Sequence, residues 1–379
     1  MKKIASVLLS VLLVLSFSVC ARAEDSAVPK ISAEAYVLYC VDNGQIINSK
    51  NENKKMKPAS TTKLMTSLLT LEEASSANKE VKFTDKMTAE GSSMYLKVGE
   101  VVTLKDLASG MMMASGNDAA NAAALSISGS IEKFAKKMNE RASQIGMKNT
   151  HFVTPSGLDD DNHYSTAYDL ALLMSYALEN DDFAKLTAQK RTAVEFVEPE
   201  SKKITYTNHN RLLSLYEYCI GGKTGFTKAA GRCLVSAAKK DGLTLVCVTL
   251  NDGNDWNDHI SLYDYGFKSL SCYKSDDTAF FADIPCVGGV SDSVTVTGEK
   301  SASIVVSANE ADKIERKIYI DSFLYAPINR SDAVGRIEYT INGKKTAETK
   351  LIAVDGVKSR KKNKNIFTMI KDLFTYGKK

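Results

Sequence analysis

Three short motifs in a fixed order constrain this chain more than any other feature. They are Ser60-Thr61-Thr62-Lys63, then Ser115-Gly116-Asn117, then Lys223-Thr224-Gly225. Together they supply a hydroxyl nucleophile, an amine three residues away, a second hydroxyl, an amide and a second ammonium. Each of the first two patterns is common alone. S-x-x-K recurs at Ser76, Ser130, Ser236, Ser271 and Ser359, and S-x-N recurs at Ser49, Ser76 and Ser307, whereas K-T-G occurs once. Order and local structure therefore carry the argument.

Each motif falls on a different kind of element. Pro58 precedes a helix that starts near Ser60, with Leu64, Leu68 and Leu71 at helical spacing. Ser115-Gly116-Asn117 interrupts an Ala- and Met-rich stretch, residues 100–145, that reads as packed helices. Lys223-Thr224-Gly225 follows Tyr218-Cys219-Ile220-Gly221-Gly222 on a strand, and a hairpin follows it, with strands at Cys233–Ala237 and Leu245–Leu250. Residues 33–50 read as another hairpin around Asp42-Asn43-Gly44, Ala167–Glu179 as a helix, and Asn257–Leu270 as a last helix. A mostly antiparallel sheet flanked by helices fits this order.

The residue types then fix a chemistry. On a helix, Ser60 and Lys63 share a face, so the amine reaches the serine oxygen. A lysine acts as base only when its ammonium is disfavoured, by burial or by a second cation, and Lys223 is a candidate for that cation. Ser115 can pass a proton to a leaving amine, and Asn117 can hold a substrate amide and Lys63. Lys223 and Thr224 on a strand edge can face a carboxylate while the edge pairs with an extended peptide, and Gly225 removes side-chain bulk. The backbone N–H groups of Ser60 and Phe226 can form an oxyanion hole. Taken singly, each motif also has a plain reading as a helix cap, a turn or a β-turn; the three in order do not.

Composition sets the compartment and excludes other classes. Lys2 and Lys3, the apolar run Ile4–Val19 and Ala21-Arg22-Ala23 form an export signal with cleavage expected after Ala23. Removing 23 of 379 residues leaves 356, enough for about two domains. The net charge of +4 comes without a broad basic patch, so no nucleic-acid partner is expected, and no nucleotide motif occurs. Of seven cysteines, six remain after cleavage (Cys40, Cys219, Cys233, Cys247, Cys272 and Cys286). Their wide spacing and the apolar runs around Cys40, Cys233 and Cys247 favour buried free thiols. The histidines show no ligand spacing with cysteines, and His163 beside Asp159–Asp161 reads as part of a solvated loop. No metal and no other cofactor is expected.

After about residue 275 the pattern becomes all β, with Asn342-Gly343 as a turn signal. The last stretch, Lys358–Lys379, places Lys358, Arg360, Lys361, Lys362 and Lys364 before Ile366, Phe367, Met369, Ile370, Leu373 and Phe374. At helical period these apolar residues fill one arc, so the stretch is expected to lie on an anionic membrane surface, apolar face down.

At this point the chain resembles the low-molecular-mass penicillin-binding proteins, specifically D-alanyl-D-alanine carboxypeptidases with a C-terminal amphipathic helix. Beyond the motifs, the resemblance rests on Lys57–Lys63, Leu107–Ala123, Asn149–Phe152 with Pro155–Leu158, His163–Ala167 and Gly222–Gly231. It implies an α/β (α+β) penicillin-binding-protein/β-lactamase-like transpeptidase domain over 24–272, after a signal peptide at 1–23. A small β-rich domain over 273–356 and a basic amphipathic helix over 357–379 would follow. It implies Ser60 as acylated nucleophile, Lys63 as its base and Ser115 as the third catalytic residue. Asn117, Lys223, Thr224, Gly225, Phe226 and Thr227 would contact substrate. The implied partners are peptidoglycan stem peptides ending in D-Ala-D-Ala and β-lactam antibiotics, with no cofactor. The family often carries an arginine downstream of K-T-G that holds the substrate carboxylate. Here no arginine occurs between Arg232 and Arg316, which leaves Lys223, Thr224, Thr227 and Arg232 for that task. A serine β-lactamase shares the acylation but needs fast deacylation, in class A by a Glu-positioned water, and no E-x-x-L-N segment occurs between the second and third motifs. A non-catalytic envelope-binding protein would have no use for Ser60 and both lysines.

Overall fold

The computed structural model describes residues 28–360. The expected export signal and residues 361–379 of the terminal stretch lie outside them.

A five-stranded antiparallel sheet forms the centre of the first unit. β1 (Ala35–Cys40) and β2 (Gln45–Lys50) are the expected hairpin. β3 (Glu80–Lys82) pairs with β4 (Val101–Thr103), and β5 (Arg191–Glu195) with β6 (Lys203–Thr207), outside the main sheet. β7 (Cys219–Thr227), β8 (Gly231–Lys240) and β9 (Leu243–Leu250) complete it in the order β2-β1-β9-β8-β7.

Both faces of this sheet are covered, which explains why its central strands read as continuous apolar runs. Side chains alternate across a strand. Ala35, Val37 and Tyr39 therefore join one core with Val235, Val246 and Val248, while Tyr36, Leu38 and Cys40 join another with Leu234, Leu245 and Cys247. The first core is closed by α1 (Lys63–Ser76), α2 (Leu104–Met113), α3 (Asn117–Ser128), α4 (Ile131–Ile145), α5 (Ala167–Ala177) and α6 (Asp181–Thr187). The second is closed by α7 (Leu212–Leu215) and α8 (Asp255–Ser269), through Leu212, Leu262 and Tyr263. Fully burying one leucine such as Leu38 contributes about 1.5–3 kcal/mol. Caps set the helix starts: Thr103 accepts from Asp106 N–H, Ser130 from Lys133 N–H and Thr166 from Asp169 N–H.

The polar interruption at Ser115-Gly116 separates α2 from α3. It is fixed by the preceding helix and by an outside loop, since Gly116 N–H donates to Gly110 O of α2 and Asn117 N–H to Ser92 O at 2.8 Å. The β5–β6 hairpin is absent from the sequence reading. It buries Val194 and Tyr206 and leaves most of its other residues exposed or half-buried, so its apolar signal is weak.

The β region follows α8. β10 (Leu270–Ser275) pairs with β13 (Ala302–Ser307). A six-stranded sheet has the order β14 (Ile314–Ile320), β16 (Ala333–Ile341), β17 (Lys344–Ala353), β12 (Ser293–Gly298), β11 (Phe281–Val287), β15 (Leu324–Tyr325). Asn342 and Gly343, at φ 50° and 77°, make the tight turn from β16 to β17.

Candidate active site

β7 is the last strand of its sheet, so one edge has no strand partner among the described residues. The turn carrying Ser60 packs against the face of β7 from which a side chain at 225 would project. Ala59–Thr62 form one 3-10 turn that runs straight into α1. A Cβ added at Gly225 would stand 3.0 Å from Ser60 N and 3.1 Å from both Pro58 O and Ala59 Cβ. Glycine at 225 thus lets the strand backbone approach the nucleophile's own N–H. The turn is held from below by a second close approach. Gly157 has φ +83°, and a Cβ there would fall 1.9 Å from Ala59 O. Ala59 (φ 47°) and Ser115 (φ 56°) are non-glycine residues in left-handed conformations, and each costs about 1–2 kcal/mol. Strain of this kind concentrates where a site needs a fixed geometry.

Lys63 sits wholly buried at the start of α1. Its Nζ lies 3.0 Å from Ser60 Oγ, 2.6 Å from Asn117 Oδ1 and 2.7 Å from Ser156 O. The last two partners can only accept. A neutral amine has two N–H groups and one lone pair, so it can satisfy both carbonyl oxygens and still receive the Ser60 hydroxyl proton. An ammonium would fill the same three positions, so the nest holds either protonation state. Burial, and then the nearby Lys223 charge, push Lys63 well below the ordinary lysine range, against an opposing pull from Asp118. Lys223 is also buried, and burial brings it down to about 7. Its Nζ donates to Thr224 O at 2.8 Å.

Asn117 uses both ends of its amide: Oδ1 accepts from Lys63, and Nδ2 donates to Glu90 O at 2.6 Å. A cavity of about 480 Å³ opens over this arrangement. Ser60, Ser115, Thr224, Gly225 and Phe226 line it, while Lys63, Asn117 and Lys223 lie buried behind its wall. Thr227 is not among the lining residues; its hydroxyl donates to Asp159 Oδ1 at 2.9 Å and accepts from Ala230 N–H at 3.0 Å. His209, Ser92, Arg232, Cys233, Asp255 and Trp256 complete the wall. Burial and then Lys223 lower the pKa of His209.

Several supports escape a motif search. Ser156 contributes only its carbonyl, which no side-chain pattern can reveal. His163 corrects the solvated-loop reading of its segment: it is buried, and its Nδ1 accepts from Val153 N–H at 3.0 Å and Thr154 N–H at 3.2 Å. Its Nε2 therefore carries the proton and donates to Thr62 Oγ1, 2.9 Å away. Burial lowers His163 to about 4, so it stays neutral and ties the 153–157 loop to the nucleophile turn. Both segments belong to the blocks that carry the family resemblance, but their roles arise only from tertiary contacts. Cys40, Cys233, Cys247 and Cys286 are buried free thiols, and among the described residues no cysteine is paired.

Comparison with known proteins agrees with this geometry. The family profile of D-alanyl-D-alanine carboxypeptidase (peptidase S11) matches residues 22–254, and that of the penicillin-binding protein 5 C-terminal domain matches residues 267–359. The chain is 32% identical to D-alanyl-D-alanine carboxypeptidase DacF of Bacillus subtilis, over 94% of this chain and 95% of that one. It is also 32% identical to DacC of Escherichia coli, over 87% and 85%. Among solved structures, penicillin-binding protein 5 of Haemophilus influenzae superposes with a TM-score of 0.67 at 27% identity, covering 87% of this chain and 99% of that one. With a covered nucleophile turn, a buried lysine pair and matches along nearly its whole length, this chain belongs to the D-alanyl-D-alanine carboxypeptidase family.

Proposed function

We propose that the protein is a serine-type D-Ala-D-Ala carboxypeptidase that removes the terminal D-alanine from peptidoglycan pentapeptide stems through an acyl-Ser60 intermediate. The observation that carries the reading is the Lys63 nest: a buried amine 3.0 Å from Ser60 Oγ, with only carbonyl acceptors for its other two partners. Lys63 takes the Ser60 proton as Oγ attacks the penultimate D-alanine carbonyl. The N–H groups of Ser60 and Phe226 receive the oxyanion. Ser115 relays the proton to the departing D-alanine nitrogen. Water then attacks the acyl-ester carbonyl as Lys63 takes its proton, and Lys63 returns that proton to Ser60 Oγ as the ester bond breaks and the shortened stem leaves. The stem lies along the open edge of β7, with Thr224 and Lys223 toward its carboxylate end and Gly225 giving it room. β-Lactams acylate the same serine. The test is release of free D-alanine from a peptide ending in D-Ala-D-Ala, and a purified protein that leaves this peptide intact would contradict the reading.

The lysine pair carries a pH prediction. Activity needs the Lys63 amine, so kcat/KM rises with pH through the Lys63 pKa. The Lys223 charge helps hold that pKa down. Removing it in Lys223→Gln raises the Lys63 pKa, and the ascending limb moves to higher pH. A limb that stays in place or moves down would separate the two lysines.

In the same reading, residues 24–272 are the catalytic unit and 273–356 the small β domain. Residues 1–23 export the chain, and the basic stretch ending at Lys379 rests on the outer face of the cytoplasmic membrane. Among the described residues no helix is long and apolar enough to cross a membrane. Deleting Lys358–Lys379 is expected to leave the mature protein in the supernatant with anionic vesicles while D-alanine release from small peptides persists. Continued pelleting with the vesicles would count against the tail.

A further inference from the structure

We propose that Val287, Val290, Phe323 and Tyr325, at one end of the β domain, form a folded bilayer contact that enters the membrane interface beside the basic tail. The proposal rests on the reading of the tail as a membrane anchor and adds to it a second, independent point of attachment.

Strand alternation sets which side chains face outward at this end. β15 runs parallel to the end of β11, with Cys286 opposite Leu324 and Val287 opposite Tyr325. Cys286 is buried, and Leu324 packs on the same small core, which holds Val294, Ile328 and Val357. Val287 and Tyr325 therefore turn the other way, to solvent. Val287 is 49% exposed, Val290 62%, Phe323 46% and Tyr325 68%. The Phe323 and Tyr325 rings meet edge to face, with centroids 5.4 Å apart.

The chain brings its own tail to this patch. Val290 N–H donates to Lys358 O at 2.9 Å and Arg360 N–H to Gly288 O at 2.8 Å, and Gly289 bridges to Ser359 between them. A Cβ at Gly289 would fall 2.6 Å from Val357 Cγ1, so glycine there lets the last described residues lie against the turn. Residues 361–379 follow at once, with Lys361, Lys362 and Lys364 ahead of the apolar positions.

Charge divides the work between tip and tail. Arg360 pairs with Asp292 at 2.9 Å, and Asp321 lines the hollow beside Phe323 and Tyr325, so the tip has no strong positive field of its own. The lysines of the tail supply the attraction to anionic lipid, and the tip supplies apolar side chains at headgroup depth, where aromatic rings are favoured. Once the tail is bound, insertion of the tip is an intramolecular step, so even a small patch lengthens attachment. Size argues against a protein partner: four side chains fall far short of the roughly 20–30 residues a side of a stable protein interface.

The test uses the full mature chain and vesicles containing phosphatidylglycerol. Phe323→Ser combined with Tyr325→Ser is expected to weaken vesicle binding about tenfold, with the melting temperature and D-alanine release from a small peptide unchanged. Tyr325→Trp puts an emitter on the tip, and the chain's one other tryptophan, Trp256, lies in the active-site wall. Vesicles with brominated acyl chains are expected to quench the added emission and to leave that of the wild-type chain unchanged. Wild-type affinity in the double variant, or an unquenched Tyr325→Trp, would overturn the tip contact alone. So would a vesicle-free Tyr325→Trp emission that shifts to the red when residues 361–379 are deleted, which would assign the patch to the chain's own tail. A dimer in solution that the double variant abolishes would assign it to a second copy and overturn the contact as well. A wild-type chain that binds no vesicles would overturn the anchor reading and this contact with it.

Discussion

Ser60→Ala is expected to lower D-alanine release by at least about 1000-fold and to abolish covalent capture of penicillin. Losing a covalent nucleophile removes the step on which the other groups act, so what remains is binding and oxyanion stabilisation alone. The fold should tolerate the change. The Ser60 hydroxyl pairs with Lys63 Nζ, and the turn is secured by Thr61 Oγ1 donating to Pro58 O, by His163 on Thr62 and by the 153–157 loop. An alanine variant with an unchanged melting temperature and wild-type D-alanine release would remove Ser60 from the chemistry.

Lys63→Arg should be nearly as damaging, for a different reason. Arginine keeps the positive charge and the donors but cannot surrender its proton at any ordinary pH. The Ser60 proton then has no acceptor, and general-base assistance of about 100- to 10,000-fold is forfeited. The larger guanidinium must also fit a space closed by Asn117 Oδ1 and Ser156 O. Lys63→Met separates the two effects, since it retains bulk without charge. Both variants should fail to acylate with penicillin at neutral pH, as followed by the covalent adduct over time. Acylation by Lys63→Arg at the wild-type rate would mean that another group takes the Ser60 proton.

Much of this site is legible in the sequence, because its reactive side chains lie in three contiguous motifs. Ser60 and Lys63 share a helical face by spacing alone, and the Ala- and Met-rich stretch is broken by polar residues where α2 ends and α3 begins. The hairpin of β8 and β9 follows from two apolar runs separated by the turn residues Lys239–Gly242. What stayed hidden depends on tertiary approach. The Ser156 carbonyl has no sequence signature. His163 lies beside three aspartates in the chain, yet it folds inward, where its ring links Val153 and Thr154 to Thr62. Gly157 looks like any turn glycine until Ala59 O is found against it. The partnership of Arg232 with Asp255 spans 23 residues and two elements, so neither residue announces the other. The β5–β6 hairpin was missed because few of its residues are buried.

The most direct test of the acyl-serine account is the intact mass of the purified mature protein during incubation with benzylpenicillin, followed by peptide mapping. The account predicts one persistent penicilloyl adduct per chain, located on Ser60 and absent from Ser60→Ala. An adduct on another residue, or an unmodified protein in intact penicillin, would contradict it. Rapid loss of penicillin without an adduct would instead make the protein a β-lactamase.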